Sequence, residues 1–339
     1  MNKKYFFGTL FALFALVFIY YFNNSLNDKN NKEENKIKIG YSIDSVNHAP
    51  IIIADNMGIF DKHKLNLELI PFKGGKEVQQ ALAMGSIDIG SAGATNFFIP
   101  IAKGSPIKII APLAVSPTLV FVDPSSNIKT FDDLVGKTIA SRIGQSSNIS
   151  LGYALRKENI PINTITFEDI EGNLRPLALM EKKVVDVAVA GEYNEKIYLD
   201  YGAVVFEEWI TKGYADKPMP RTVIAVNTDS LEKNKEEISS FIDAIIESQR
   251  YIKDNPDDAA VIISKQIEEA TEGAVVFSVE ELKEQWKTVK YVLWYEPSDV
   301  VEISKVAQEI GDIQTALSVE QIFDLSFEEK LKNAQDEIY

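Results

Sequence analysis

GGKEVQQALAMGSIDIGSAGATNFF, residues 74–98, decides how the rest of the chain is read. Its pattern predicts a helix over residues 76–83, a tight turn at Gly85 and a short strand over residues 87–90. A second helix then starts at Thr95, whose hydroxyl is placed to cap it. Between strand and helix lie Ser91, Ala92, Gly93 and Ala94, which carry so little side chain that a ligand can approach the backbone closely. A strand end opening onto a helix N-terminus also offers unpaired N–H groups to a polar or anionic group. On its own the stretch is equally well a compact strand-to-helix turn.

A second stretch repeats the pattern. In MEKKVVDVAVAG, residues 180–191, Asp186 matches Asp88, Val187 matches Ile89, Ala190 matches Ala92 and Gly191 matches Gly93 at one constant offset. Both copies run helix, turn, short apolar strand with one aspartate, then small residues. Two copies of one unit point to two similar lobes facing each other. The aspartates read as structural, pairing with turn backbone rather than with a ligand.

A chain of 339 residues has room for two domains, and 45% hydrophobic with 25% charged residues is the composition of a globular protein. The net charge of −15 argues against nucleic acid or an anionic membrane surface as partner. Cysteine is absent, which excludes disulfides, thiolate metal sites, a cysteine nucleophile and a lipid-modified cysteine. With only His48 and His63 present, a multi-histidine metal site is not expected, and no cofactor is called for.

Residues 1–22 form a signal anchor or signal peptide: Lys3 and Lys4 precede an uncharged, mainly apolar run from Tyr5 to Phe22. The run is near the lower limit for spanning a bilayer and longer than the usual core of a secretory signal. Bulky and amide residues follow it where a small-x-small cleavage site would stand. An uncleaved anchor with the remainder exported is therefore expected, and a cleaved signal is the alternative. Residues 23–35 are polar, rich in Asn and Lys, and read as a flexible tether.

From residue 36 onward, alternating and apolar runs separated by helical segments give β-α-β-α-β-α-β, the pattern of a doubly wound parallel sheet. The strands fall at residues 36–44, 65–72, 87–90 and 107–115, and Pro50 opens the first helix. The pattern restarts after residue 118. A strand at 138–141, a Gly/Ser-rich turn and a helix capped by Ser147 or Asn148 open a second lobe. Residues 221–227 form a strand that crosses back, and after Asp229 the chain becomes helical. The expected division is residues 36–117 with 228–339 as one lobe and residues 118–227 as the other.

GYSIDSVNHAPIIIADNMGIFDKHKLNLELIPFKGGKEVQQALAMGSIDIGSAGATNFFIPIAKGSPIKIIAPL resembles the nitrate, sulfonate, taurine and thiamine-pyrimidine class of ABC-importer solute-binding proteins. The resemblance continues through AVAGEYNEKIYLDYGA and FIDAIIESQRYIKDNPDDAAVIIS, covering roughly residues 36–265. Two positions depart from it. Lys64 stands where relatives usually have glycine after the helix-end turn, and Glu192-Tyr193 replaces a Glu-Pro pair. The resemblance implies an α/β periplasmic-binding-protein type II fold, with two lobes joined by two crossover strands at residues 118–122 and 221–227. Ligand would enter the cleft at the strand C-terminal ends, and hinge bending would close it. It further implies an extracytoplasmic monomer that delivers its ligand to an ABC permease and its ATPase.

The expected contacts follow from the loops at those strand ends. Ser42, Asp44, Asn47 and His48 follow the first strand, and Asn47-His48 resembles the loop of the pyrimidine-binding branch. Gly74, Ala94 and Thr95 complete the first lobe's set. Gly144, Ser146, Ser147 and Asn148 are their counterparts in the second lobe, with hydroxyls and N–H groups for a polar head. Gly172 and Asn173 sit after the next strand, and Gly191, Glu192 and Tyr193 follow the repeated one. The Glu192 carboxylate disfavours a dianion and favours a ligand N–H or amino group. Arg142 and Arg175 would offset it for a sulfonate or carboxylate. Tyr41, Tyr153, Trp209, Trp286 and Trp294 read as packing residues, and His63 as solvated.

Transport binding is the expected function and no catalysis is expected. The alternative is an enzyme of the same fold, such as a thiamine-pyrimidine synthase or a menaquinone-pathway enzyme. The resemblance associates the synthases with a cysteine-rich iron motif, and this chain has no cysteine.

Overall fold

The computed structural model describes residues 36–42, 46–141, 146–170, 174–215, 219–273, 276–287 and 289–339. The N-terminal apolar run and the tether lie outside them. Among the described residues no helix is long and apolar enough to cross a membrane.

Eleven described strands form two sheets. They are β1 (Ile37–Ser42), β2 (Leu67–Phe72), β3 (Ile89–Ala92), β4 (Ile107–Ser116), β5 (Thr118–Val122), β6 (Thr138–Ser141), β7 (Thr166–Asp169), β8 (Val187–Gly191), β9 (Val204–Val205), β10 (Met219–Asn227) and β11 (Lys290–Tyr291). The first sheet has the order β11-β4-β10-β3-β1-β2 and the second β7-β6-β8-β5-β9. In each, a parallel trio (β2-β1-β3 and β7-β6-β8) meets an antiparallel intruder, β10 in the first and β5 in the second. These two are the strands expected to cross between the lobes, and each runs antiparallel because it enters its sheet from the other one.

The repeat is physical. Asp88 Oδ2 accepts the Lys38 backbone N–H of β1 at 2.8 Å, and Asp186 Oδ2 accepts the Thr138 N–H of β6 at 2.8 Å. In return the Asp88 N–H donates to Lys38 O at 2.9 Å and the Asp186 N–H to Thr138 O at 2.8 Å. Both aspartates thus serve backbone, as the sequence suggests, but the backbone of a neighbouring strand rather than of a turn.

A single residue, Pro117, separates β4 from β5. Ser116 at the end of β4 pairs with Met219 at the start of β10, and Thr118 at the start of β5 pairs with Gly191 at the end of β8. The C-terminal edges of both parallel trios are therefore brought together at this crossing.

Apolar side chains fill both faces of the first sheet. One core packs β1 and β4 against the helices Ala49–Asn56, Lys235–Asp254 and Pro256–Ala270. The other packs β3, β4 and β10 against Gly75–Ala83, Phe98–Ala102 and Pro297–Glu309. A separate core surrounds the second sheet and contains Trp209 and Tyr198. Burial of this many aliphatic and aromatic side chains is the main driving force for both halves.

Local turns follow their residues. Gly85 adopts φ 69° at the turn after Gly75–Ala83, as its position requires. Lys64 adopts φ 57°, so the departure from glycine leaves the left-handed turn in place under a lysine side chain. His63 is partly exposed and also paired: its Nε2 lies 3.0 Å from Glu247 Oε2, with Lys62 on the other carboxylate oxygen at 2.6 Å.

Candidate functional site

The expected contact residues that the structure describes lie where the C-terminal edges of the two sheets meet. Ser42, the last residue of β1, is buried, as are Asn47 and His48 on the 3-10 turn Val46–His48. Asp44 lies outside the described residues. Across β3, the Ser91 hydroxyl lies 3.0 Å from His48 Nδ1. Nδ1 is thus engaged by Ser91, and the neutral ring presents Nε2 as its second polar position, donor or acceptor according to tautomer. Burial pushes the imidazole down from 6.5 to about 3. It is uncharged at any physiological pH, because a charged ring would have to leave water.

Ala94 and Thr95 are fully buried on the 3-10 turn Ala94–Phe97. Thr95 is not the helix cap that the sequence suggests. The helix proper begins later, at Phe98, with no side-chain cap, so Thr95 lies inside the entering turn. Gly74 is extended and half-buried, one residue before the helix Gly75–Ala83. A Cβ on Gly75 would stand 2.6 Å from Asn96 Oδ1, so that glycine lets this helix close on the 94–97 turn.

In the second half, the helix Ser146–Lys157 already includes Ser147 and Asn148, the two residues expected to cap it. Asn148 therefore does not cap it: its Oδ1 accepts the Ser141 hydroxyl of β6 at 2.9 Å. Ser147 and Asn148 are buried, and Ser146 is half-buried with its carbonyl accepting the Ser150 hydroxyl at 2.8 Å. Gly144, Gly172, Asn173 and Arg142 lie outside the described residues. Gly191 ends β8, and Glu192 and Tyr193 follow on the turn Glu192–Asn194. The Glu192 N–H donates to the Pro117 carbonyl at 3.2 Å, so this turn sits directly at the crossing.

The helix Ser146–Lys157 also reaches the first sheet. Ile149 shares a core with Phe97, Val300 and Val306. A Cβ at Gly152 would stand 2.9 Å from Val306 Cγ1 and 3.1 Å from Ile310 Cγ2. Arg156 Nη1 pairs with Glu309 Oε1 at 3.4 Å. The two halves therefore meet closely beside the site, and Thr95 and Ser147 are both shut off from solvent.

Sequence reasoning missed several polar residues of this seam: Ser116, Thr118, Ser141, Ser150 and Thr222 are buried. Thr118 donates to Ser150 Oγ at 2.8 Å. For Ser116, Thr118 and Ser141 the signal was a hydroxyl at a strand end, which a reading of glycine-rich turns passes over; Ser150 lies in a helix and Thr222 inside β10. Arg175 is not placed simply to meet a ligand anion. It is buried, its Nε donates to Ile170 O at 2.8 Å and its Nη1 to Val189 O at 2.7 Å, stapling the end of β7 to β8. Among the described residues it is the single buried Arg, Lys, Asp or Glu. Tyr41 and Trp209 are core residues, with Trp209 Nε1 donating to Thr118 O at 2.7 Å.

A family model described as NMT1/THI5 like matches residues 45–259, well over half of the chain. The protein belongs to the NMT1/THI5-like family. A protein of Brucella abortus, named as a binding protein without a stated ligand, is 24% identical over 229 residues, 68% of this chain and 70% of that one. A Haemophilus influenzae relative, named for thiamine biosynthesis, is 22% identical over 232 residues, 67% of this chain and 72% of that one. The crystal structure of the periplasmic aliphatic sulphonate binding protein SsuA from Escherichia coli covers 86% of this chain and 92% of its own, with a TM-score of 0.68 at 17% identity. That likeness shows the periplasmic-binding-protein fold in this family member: an α/β chain with two sheets.

Proposed function

We propose that this protein is the extracytoplasmic solute-binding component of an ABC importer. It holds a small polar ligand between its two halves, residues 36–117 with 228–339 on one side and 118–227 on the other. It then passes the ligand unchanged to a permease and its ATPase. One observation carries this reading: buried hydroxyl, amide and imidazole groups from both sheets, Ser42, Asn47, His48, Ser91 and Thr95 with Ser141, Ser147 and Asn148, gather at the edge where the sheets meet. Small-ligand sites are lined by a few convergent polar groups and lie preferentially between domains, which is the setting of these side chains. The Haemophilus and Escherichia names are in keeping with a small polar cargo. Closure requires that the ligand bind the closed form better than the open one.

The ligand we favour is an un-ionised nitrogen heterocycle of the aminopyrimidine kind. The polar side chains named above carry no formal charge, the imidazole stays neutral, and Glu192 beside the crossing suits a ligand amino group. For a sulfonate or nitrate, the buried Arg175 is turned to the carbonyls of Ile170 and Val189, which leaves backbone N–H groups as the main anion donors.

A thermal-shift screen of the purified chain tests this with nitrate, alkyl sulfonates, taurine, bicarbonate and aminopyrimidines. Aminopyrimidines should raise the melting point, because a ligand of the native state stabilises it. The ligand should be recovered unaltered. Thr95→Ala and Ser147→Ala should each weaken binding about 2- to 10-fold, the worth of one hydrogen bond. Turnover of the ligand would replace transport by the enzyme reading, and a response to sulfonate alone would reverse the ligand class.

A further inference from the structure

The turn that carries Asn47 and His48 is pinned from a distant part of the chain. Trp286 Nε1 donates to the Tyr291 hydroxyl at 2.7 Å, and that hydroxyl donates to the Val46 carbonyl at 2.8 Å. The direction of this chain is fixed by chemistry. An indole N–H can only donate, so the phenol oxygen must accept from it, and the phenol proton is left for the carbonyl. Val46 and Tyr291 are both buried, so neither bond can be replaced readily by bulk water.

Tyr291 is itself held rigidly. It lies on β11, pairs with Ala114 of β4, and is followed by Val292, whose N–H donates to Leu113 O at 3.2 Å. Gln335 Oε1 then accepts the N–H groups of Leu293 and Trp294 at 2.7 and 3.3 Å. At the other end of the same three-residue turn, His48 Nδ1 meets Ser91 Oγ. Asn47 stands between these two pins. Trp286 and Tyr291 both lie beyond the family match, which ends at residue 259.

We propose that Tyr291, oriented by Trp286, is a positioning residue that sets Asn47 and His48 for the ligand; this rests on the binding function proposed above. Tyr291 acts through the backbone of the turn and does not itself touch the ligand. Phenylalanine at this position keeps the ring and its packing but leaves the indole N–H and the Val46 carbonyl without their shared partner. The turn is then free to shift, and the two side chains it carries shift with it.

The chain contains two histidines, which makes the test direct. Full-length protein labelled with carbon-13 and nitrogen-15 in histidine gives one imidazole signal from His48 and one from His63, and His63 sits in the separate pairing with Glu247. In Tyr291→Phe the His48 signal should move while the His63 signal stays. The affinity for 4-amino-5-hydroxymethyl-2-methylpyrimidine, measured by calorimetry, should fall at least 5-fold. Trp286→Phe, which keeps the phenol but loses its orienting donor, should move the His48 signal in the same direction by less. A Tyr291→Phe protein with lower melting point but an unmoved His48 signal would overturn the proposal, leaving Tyr291 a packing residue. If Tyr291→Phe does not fold, an unmoved signal in Trp286→Phe overturns it equally. If the wild-type chain takes up none of the screened ligands, the binding function fails, and the His48 signal still decides whether Tyr291 positions the turn.

Discussion

His48 Nδ1 and Ser91 Oγ lie 3.0 Å apart with both residues sealed from solvent, and that burial governs how this histidine responds to acid. The imidazole pKa is lowered from 6.5 to about 3 by burial. The unfolded chain therefore binds a proton that the folded chain refuses between those limits. Stability should be unaffected by this group above pH 6.5 and should fall as pH drops toward 3, by at most about 1.4 kcal/mol per pH unit. Urea unfolding at pH 7, 6 and 5 should show wild type losing stability that His48→Gln does not lose. The comparison stops at pH 5 because Asp123, held down to about 2 by Lys183 and Ser125, and Glu158, held down by Lys212 and Tyr214, contribute at lower pH. Parallel loss in both proteins would contradict the assignment.

Lys64 occupies a backbone conformation that suits glycine. Replacing it by glycine should stabilise the protein by roughly 0.5–1 kcal/mol, the left-handed penalty of a side chain less the extra entropy of glycine in the unfolded state. A melting curve of Lys64→Gly decides this, and a lower melting point would mean that the lysine side chain makes a contribution larger than its strain.

Asp88 and Asp186 make the same backbone bonds in the two sheets, yet their surroundings differ. Asp88 is half-buried and also accepts the Ser230 hydroxyl, whereas Asp186 is exposed. Asp88→Ala should cost about 0.5–1.5 kcal/mol, the net worth of a hydrogen bond that water can partly replace, and Asp186→Ala distinctly less. Neither change should alter ligand affinity. Equal losses in denaturant unfolding would show that the second bond is as shielded as the first.

Gly152 lets the helix Ser146–Lys157 lie against the helix Pro297–Glu309. A valine there would act as a wedge beside the seam, at about 1–3 kcal/mol of overpacking. Gly152→Val should weaken ligand binding and enlarge the radius of gyration in solution scattering with ligand present. Unchanged scattering and affinity would show that Val306 and Ile310 move aside.

Glu192 follows β8 at the crossing. Glu192→Gln should weaken binding of an aminopyrimidine. Tighter binding of a sulfonate or nitrate, measured in the same calorimetric series, would argue for the anionic class.

The repeat around Asp88 and Asp186 was legible because both copies place an aspartate, an apolar strand and small residues in one order. That order is imposed by the shared need to satisfy the first strand's backbone. That β10 and β5 cross between the lobes was legible, but their antiparallel direction was not, because side-chain pattern along a strand does not encode the direction of its neighbours. The residues around His48 were found because a polar loop follows β1. Ser91 was read only as a small residue, and Ser116 and Ser141 were overlooked, because a serine in an apolar run has no periodicity of its own. Helix starts were misjudged at Thr95 and Asn148 for one reason: a side chain that looks like a cap was directed to a neighbouring strand or enclosed in a 3-10 turn. Tyr291 escaped notice altogether, since its partner Val46 lies 245 positions away.

Pro117 also limits how the two halves can swing. β4 is paired up to Ser116 and β5 from Thr118, so the ladders hold the backbone on both sides of one residue. The pyrrolidine ring locks φ of that residue, which leaves ψ as its single soft torsion. If the halves part and close as proposed, a joint with one free angle would act as a door rather than a ball-and-socket, with sideways play at this crossing resisted by the ring itself.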